Sequence, residues 1–429
     1  MEQQNRQLRW MRLDNAALIF PAAQRKHWSN AFRLSFTFRD PVDPALLQQA
    51  LDHVAPRFPS VCVRLRRSTF WYYLEEVDRP PAVREDSYQP LVSMGRTDIR
   101  RCAIRVLYYR SRMAVEFFHA VTDGTGGMVF AKTLAAEYVR LRYGADVPAT
   151  HGVLDIRESP KPEELEDSFQ RNVGPVAAPR DDGNVFRYRG TLEPDRFLHV
   201  TLGTVDSEAL HSRSHALGVT VTAYLTAVLL QSLLELQAEN VPRRQRRKNA
   251  KIQIPVNLRK LYDSRTMRNF VAVANVGVDP RLGDYALEEL AKLVHHQMHL
   301  SITPKNMQAI FTPNVTSEQN PVLKIVPLFL KNIIMRAVFD TIGERVASMT
   351  LSNLGRVELP EAMAPFVERV EFVLGPQSTA PYNASVTSWQ GKTFINIVRN
   401  TVEPRLEEIF FTKLVKLGCH VAVESNDRA

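Results

Sequence analysis

Apolar and polar positions alternate through AFRLSFTFRD, residues 31 to 40, which predicts a strand. They then change to helical spacing in DPALLQQALDHVAPRF, residues 43 to 58, behind an aspartate suited to cap a helix. Strand patterning returns in VCVRLRRSTFWYYLEEV, 61 to 77, and again in RRCAIRVLYY and MAVEFF on either side of a short turn. A helical run, MVFAKTLAAEYVRLRY, spans 128 to 143 and ends at Gly144. From about 145 to 193 the chain is polar and aperiodic, rich in Pro, Asp, Glu, Arg and Gly. So long a connection predicts a crossover between two units, taken as 1–180 and 181–429.

The second unit repeats the mixture. Strand FLHVTLGTV precedes helices over 207–217 and 220–237. Strands KIQIPVNLR and FVAVANVGV precede helix YALEELAKLVHHQMHL. A helix over 325–341, strand SMTLSN, a hairpin around SWQGKTFINIV and helix PRLEEIFFTKLVKLG complete the chain. The fold class is mixed α/β: two layered units of similar size, each a mixed sheet covered by helices.

The chain's 429 residues, 45% of them hydrophobic, suffice for two buried cores. Its most apolar stretch, 322 to 339, is interrupted by Lys324, Lys331 and Arg336, which predicts a buried or amphipathic helix. A membrane span needs about 20 nearly uncharged residues. The first 20 residues lack a continuous apolar run before a small-residue site and are not expected to be a signal peptide. Cys62, Cys102 and Cys419 are too scattered for a disulfide framework or a metal site, which fits a reducing, cytoplasmic setting.

A net charge of +9 raises the possibility of an anionic partner. Its one dense basic run, Arg243, Arg244, Arg246 and Arg247, falls in a connecting loop between a helix and a strand. Two readings stand: a solvated loop, or a contact for the phosphates of a nucleotide or for an acidic carrier protein. No aromatic–basic interleaving, zinc spacing or helix-turn-helix pattern points to nucleic acid.

The chemistry concentrates in EFFHAVTDGTGGMVF, 116 to 130, where a strand passes into a helix. A strand end followed by Gly124, Gly126 and Gly127 sets His119 on a rigid support, where an imidazole can accept a proton near neutral pH. The other reading of His119 is a buried histidine satisfied by backbone. His295 and His299 lie four apart on a helical face, but no third ligand accompanies them and no glutamate stands at 296, so no metal is expected.

HAVTDGTGG resembles the HxxxDG motif of the chloramphenicol acetyltransferase-like superfamily, which includes condensation domains and alcohol acetyltransferases. Three further stretches resemble that superfamily in the same order: GVTVTAYLTAVLLQSL, IPVNLRK, and LSNLGRVELP with its Ser-Asn-x-Gly pattern, which is most similar to the alcohol acetyltransferase branch. Phe118 stands where many members carry another histidine. The resemblance implies that His119 lies in a channel between two domains and removes a proton from a hydroxyl or amine acceptor, which attacks a thioester without an acyl-enzyme. It implies that Asp123 is structural and pairs with Arg259. Ser352 and Asn353 are the candidates for a hydrogen bond to the oxyanion, strand-end capping being their other reading. Strand alternation lets at most one of those two face the channel. Gly124, Gly126 and Gly127 are expected to admit close backbone approach at the channel, or simply to serve the turn, and the four arginines are the candidate contacts for the donor's phosphates. The resemblance implies acyl-coenzyme A as co-substrate and no permanently bound cofactor. The partners implied are a small-molecule acceptor and acyl-coenzyme A. An acyl carrier protein as donor, or a noncatalytic binding member of the same fold, are the alternatives.

Overall fold

A computed structural model describes residues 9–25, 28, 30–178, 185–242, 248–339, 345–376 and 381–427. In chain order the N-terminal part runs β1 (Trp10–Arg12), α1 (Ile19–Ala23), β2 (Ala31–Phe38), α2 (Pro44–Val54), β3 (Val63–Arg67), β4 (Tyr72–Glu76), β5 (Arg84–Glu85), α3 (Arg96–Arg101), β6 (Ile104–Tyr109), β7 (Arg112–Phe118) and α4 (Gly124–Tyr143). The crossover carries two short helices, α5 (Pro162–Leu165) and α6 (Ser168–Arg171). There follow β8 (His199–Asp206), α7 (Ser207–Ala216), α8 (Val221–Asn240), β9 (Ala250–Asn257), α9 (Arg259–Tyr262), β10 (Val271–Val278), α10 (Leu287–Ser301), α11 (Pro304–Gln319), α12 (Pro321–Ile325) and α13 (Leu328–Val338). The chain closes with β11 (Met349–Arg356), β12 (Val367–Leu374), β13 (Tyr382–Trp389), β14 (Lys392–Arg399), α14 (Arg405–Lys416) and β15 (Val421–Ser425).

Local chemistry accounts for most of these boundaries. Asp43 accepts from the amides of Ala45 and Leu46 at the head of α2, and Pro44 occupies the first helical turn, where its missing N–H costs nothing. Helix α4 begins four residues before its apolar periodicity, because Asp123 caps it, and it stops at Gly144 with φ 64°. Residues 61–77 form a hairpin, β3 against β4, rather than one strand. The helix expected over 325–341 begins instead at Leu328 as α13, behind Pro327, and a separate short helix, α12, ends at Ile325.

The strands form three sheets. A seven-stranded sheet is ordered β10-β9-β11-β13-β14-β8-β15 and is antiparallel except where β11 runs parallel to β9 and β13. One core fills the space between this sheet and α8, α10 and α14, with Leu225, Leu229, Ile252, Ile397 and Phe410 buried. Helix α8 is, among the described residues, the one helix long and apolar enough to cross a membrane, and it lies in this core. A three-stranded sheet, β1-β4-β3, flanks a five-stranded one ordered β12-β2-β7-β6-β5. A second core around Phe32, Phe117, Phe130 and Phe372 packs beneath α2 and α4.

The sheets do not separate at residue 180. Strand β12, from near the C-terminus, pairs antiparallel with β2, Val370 opposite Phe36, and so belongs to the N-terminal sheet. Its other edge faces β13 and β14 and is satisfied by side chains. Thr387 Oγ1 donates to the carbonyl of Val370 at 2.8 Å, Trp389 Nε1 to Val367 at 3.1 Å and Asn396 Nδ2 to Phe372 at 3.2 Å. Unlike a free edge, this one leaves few carbonyls for water or another strand.

Phe372 packs edge-on against Phe32 with ring centroids 6.0 Å apart, in the seam between the two halves. Phe372→Ala is expected to cost about 3 to 5 kcal/mol while calorimetry still shows one transition. Two separate transitions would mean that the halves unfold independently.

Candidate active site

Strand β7 ends at Phe118, whose ring is buried. The next amide, that of His119, donates to the carbonyl of Asn30 at 2.9 Å and holds the residue at the strand end. The half-buried imidazole is packed by Phe20 of α1, ring centroids 4.9 Å apart, and by Phe32 of β2, 5.1 Å apart. Its Nδ1 lies 3.0 Å from Oδ1 of Asn269, which immediately precedes Phe270 at the head of β10. Nδ2 of Asn269 donates to Oδ2 of Asp14 at 3.1 Å, and its backbone amide donates to the same oxygen at 3.2 Å.

This chain of contacts sets the imidazole's protons. The Asp14 carboxylate draws the NH2 group of Asn269 and so turns Oδ1 toward His119. An amide oxygen can only accept, so Nδ1 carries a hydrogen, and in the neutral ring the lone pair is on Nε2. Asp14 is fully buried, and burial pushes its pKa up. Arg268, 3.8 Å away, with the amides of Ala17 and Asn269, acts in the opposite direction. Nearby Asp167 accepts from the amide of Asn15, and it is pushed up to about 7 by burial, by Asp14 and by Glu318. The sequence patterning pointed to none of Phe20, Asp14 or Asn269. No local signal marks them, because each matters only through residues far away in the chain.

Asp123 gathers five donors. The amides of Thr125 and Gly126 reach Oδ1 at 3.0 Å each, and the amide of Phe270 reaches Oδ2 at 2.8 Å. Arg259 adds a two-pronged contact, at 2.9 Å to Oδ2 and 3.1 Å to Oδ1. The same guanidinium donates to the carbonyls of Thr266 and Arg268, which fixes the loop that delivers Asn269. The two residues that the family resemblance paired are thus in contact across the seam.

Each of the three glycines makes room for protein. A Cβ on Gly126 would lie 2.2 Å from the carbonyl oxygen of Met267, one on Gly127 3.0 Å from the Phe32 ring and one on Gly124 3.0 Å from Leu354. Close packing of the two halves accounts for Gly124 and Gly126, and packing of α4 on β2 accounts for Gly127, without a bound donor. Ser352 and Asn353 diverge. Asn353 donates to Thr222 Oγ1 at 3.0 Å, at the head of α8, and accepts from Gly355 at 2.8 Å, so both ends of its amide are engaged on that side of β11. Ser352 is buried and pairs in register with Ser385, whose hydroxyl faces β12. Ser352 is therefore the member of the pair turned toward the seam.

A cavity of about 350 Å³ opens beside the first turn of α4. It is bounded by Thr125 and Val129, by Leu154 and Lys161 of the crossover, and by Arg265 and Met267. Arg243, Arg244, Arg246 and Arg247 lie outside the described residues. The rings of His295 and His299 are 4.4 Å apart on α10, and no cluster of three metal-ligating side chains occurs among the described residues. Cys62 and Cys102 are buried away from this site, and burial holds both thiols protonated, Cys102 up to about 11.

No known family model matches the chain, and no curated protein matches it. Solved structures do. TRI101 of F. graminearum, crystallised with coenzyme A and deoxynivalenol, superposes with a TM-score of 0.64 at 11% identity, covering 98% of this chain and 100% of that one. TRI3, a trichothecene 15-O-acetyltransferase from Fusarium sporotrichioides, gives 0.59 at 11% identity over 95% and 94% of the two chains. The first condensation domain of the calcium-dependent antibiotic synthetase, in complex with a substrate analogue, gives 0.59 at 14% identity over 95% of each. The chain has the two-part chloramphenicol acetyltransferase-like fold of these proteins.

Asp123 is 1% exposed, and removing it would leave Arg259 without its partner. Asp123→Ala is expected to lower stability by about 3 to 5 kcal/mol in denaturant titrations, whereas His119→Ala leaves the unfolding midpoint near that of the parent. Asp167 gives a pH dependence. Its pKa is higher folded than unfolded, where 3.8 is ordinary, so the folded chain holds the proton more tightly. That contribution favours the fold below about pH 4 and is lost as the pH rises through about 7. The parent should lose more stability between pH 5 and pH 8 than Asp167→Asn, as read from denaturation midpoints.

Proposed function

We propose that the protein is an acyltransferase that moves an acyl group from a thioester donor, acyl-coenzyme A, to a hydroxyl or amine acceptor. The observation that carries this reading is the orientation of His119 at the seam. Its Nδ1 is committed to Asn269, and Nε2 is free to take a proton. An alcohol is a weak nucleophile while it keeps its proton. Nε2 accepts that proton as the oxygen attacks the thioester carbonyl, and the tetrahedral adduct collapses by expelling the thiolate, which takes the proton back from Nε2. Donor and acceptor react directly, and no protein nucleophile is needed. The solved structures support this class: TRI101 was crystallised with coenzyme A and deoxynivalenol, and TRI3 is a trichothecene 15-O-acetyltransferase.

Ser352, turned toward the seam, is the candidate donor to the oxyanion of the adduct, a contribution of roughly 2.7 to 4 kcal/mol where one such donor acts. Asn269 and Asp14 are positioning residues, which set the hydrogen of the neutral ring on Nδ1 and hold the ring in place. A carrier-bound acyl donor is the second reading, favoured by the likeness to the condensation domain.

Steady-state kinetics with a panel of alcohols and amines, against matched acyl-coenzyme A and acyl-carrier donors, tests both readings. Turnover with simple acyl-coenzyme A is expected, with kcat falling about 10²- to 10⁴-fold in His119→Ala and donor KM little changed. Turnover with the carrier-bound donor alone would select the second reading, and none with either would reject both. Asn269→Ala is expected to lower kcat about tenfold or more, and nitrogen NMR of the ring should then register the second tautomer. A purely structural role would leave the tautomer unchanged.

A further inference from the structure

Helix α13 is packed inside out. Its polar groups face the protein: Lys331 Nζ donates to the carbonyl of Phe70 at 2.9 Å, Asn332 Nδ2 to the hydroxyl of Tyr72 at 2.9 Å, and Arg336 to the carbonyls of Ala22 and Gln24. Of its apolar residues only Leu328 is buried. Phe329 and Ile333, each 64% exposed, and Leu330 and Ile334, 42% and 56% exposed, form two i, i+4 pairs along the outer face. Val322 and Ile325 of α12, 66% and 71% exposed, extend that face, and Trp71 on the neighbouring β3–β4 turn borders it. A helix on the surface of a soluble protein ordinarily turns such a stripe inward, and a continuous apolar face left outside marks a binding surface.

The charge around the face identifies what it binds. From Asn320 to Phe339 the sequence has no carboxylate and three cations, Lys324, Lys331 and Arg336. Of the two arginines at the end of β3, Arg66 is paired with Glu75 at 2.8 Å, and Arg67 adds one further cation beside the face. Arg67, Lys324 and Arg336 are exposed. Apolar side chains beside the exposed cations Arg67, Lys324 and Arg336, with a tryptophan at the margin, match the interface of an anionic bilayer, where the hydrocarbon takes the Phe and Ile side chains and the headgroups take the exposed cations. A second copy fits less well, since a twofold pairing of this face would bring its cations against themselves.

We propose that α12, α13 and the β3–β4 turn dock the protein on the surface of an anionic lipid bilayer, without spanning it. The face abuts the candidate site. Arg336 binds the last turn of α1, and Phe20 of that helix packs on His119. On the acyltransferase reading, and only on it, this position suits an acceptor or acyl chain that partitions into lipid. The docking itself does not depend on that reading.

The test is flotation of the full chain with phosphatidylcholine vesicles, with and without about 30 mol% phosphatidylglycerol, at low and high salt. The parent is expected to float with the anionic vesicles, less so at high salt, and Phe329→Ser/Ile333→Ser to bind about tenfold more weakly or worse. Brominated lipid in the same vesicles should quench tryptophan emission of the unmodified protein and quench Trp71→Phe less, a readout that does not depend on the double variant folding. A parent that stays unbound, equal flotation of parent and variant, or unquenched emission would overturn the proposal. A dimer in sedimentation velocity that the double substitution dissociates would assign the face to a second copy instead. Acyl transfer enters none of these readouts, so failure of the docking and failure of the enzymatic reading are told apart.

Discussion

One carboxylate organises the centre of this molecule. Asp123 is reached by three backbone amides and both terminal nitrogens of Arg259, and these come from three places: the start of α4, the short helix after β9 and the head of β10. A charge buried to this extent is tolerable only when its lone pairs are filled, so the three segments must arrive together or the carboxylate is left desolvated and unpaired. That condition fixes where the N-terminal strand end meets the C-terminal sheet, and hence where His119 sits. It also removes Asp123 from proton transfer, since both of its oxygens are occupied.

His119 is oriented through an amide. An adjoining carboxylate would also fix the tautomer, but it would set a full negative charge against the ring. Asn269 transmits the direction set by Asp14 without that charge. The Asp14 carboxyl group stays at one remove, fully buried and neighboured by Arg268. The imidazole is fixed further by Phe20 and Phe32, which leave it little freedom to rotate.

The elements nearest the site were the most legible in the sequence, because their signals are local. Asp43 and Gly144 announce a helix start and a helix end through groups within three or four residues of themselves. The strand-to-helix step at His119 could be read the same way. Pairings between distant segments could not. Nothing in periodicity ties Asp123 to Arg259, and only the family resemblance brought the two together. Asn269 is one asparagine before a strand, and Asp14 lies in a stretch without strong pattern. Strand β12, VERVEFVL, went unread because its partners, β2 on one edge and the side chains of β13 and β14 on the other, are defined by tertiary contact rather than by its own alternation. Helix α11 was masked by Pro313, which breaks the expected pattern inside a helix that tertiary packing sustains.

The placement of β12 also determines an order of events during synthesis. Strand β2 leaves the ribosome early, but the neighbour that completes its sheet is not made until residues 367–374 are translated, near the end of the chain. Until then the growing polypeptide carries an open strand edge and the unburied faces of Phe32 and Phe36, features that recruit chaperones and invite mispairing. The N-terminal half is therefore a poor candidate for expression by itself. A stop codon or frameshift late in the gene would damage the first sheet as directly as the last, through the loss of one eight-residue strand.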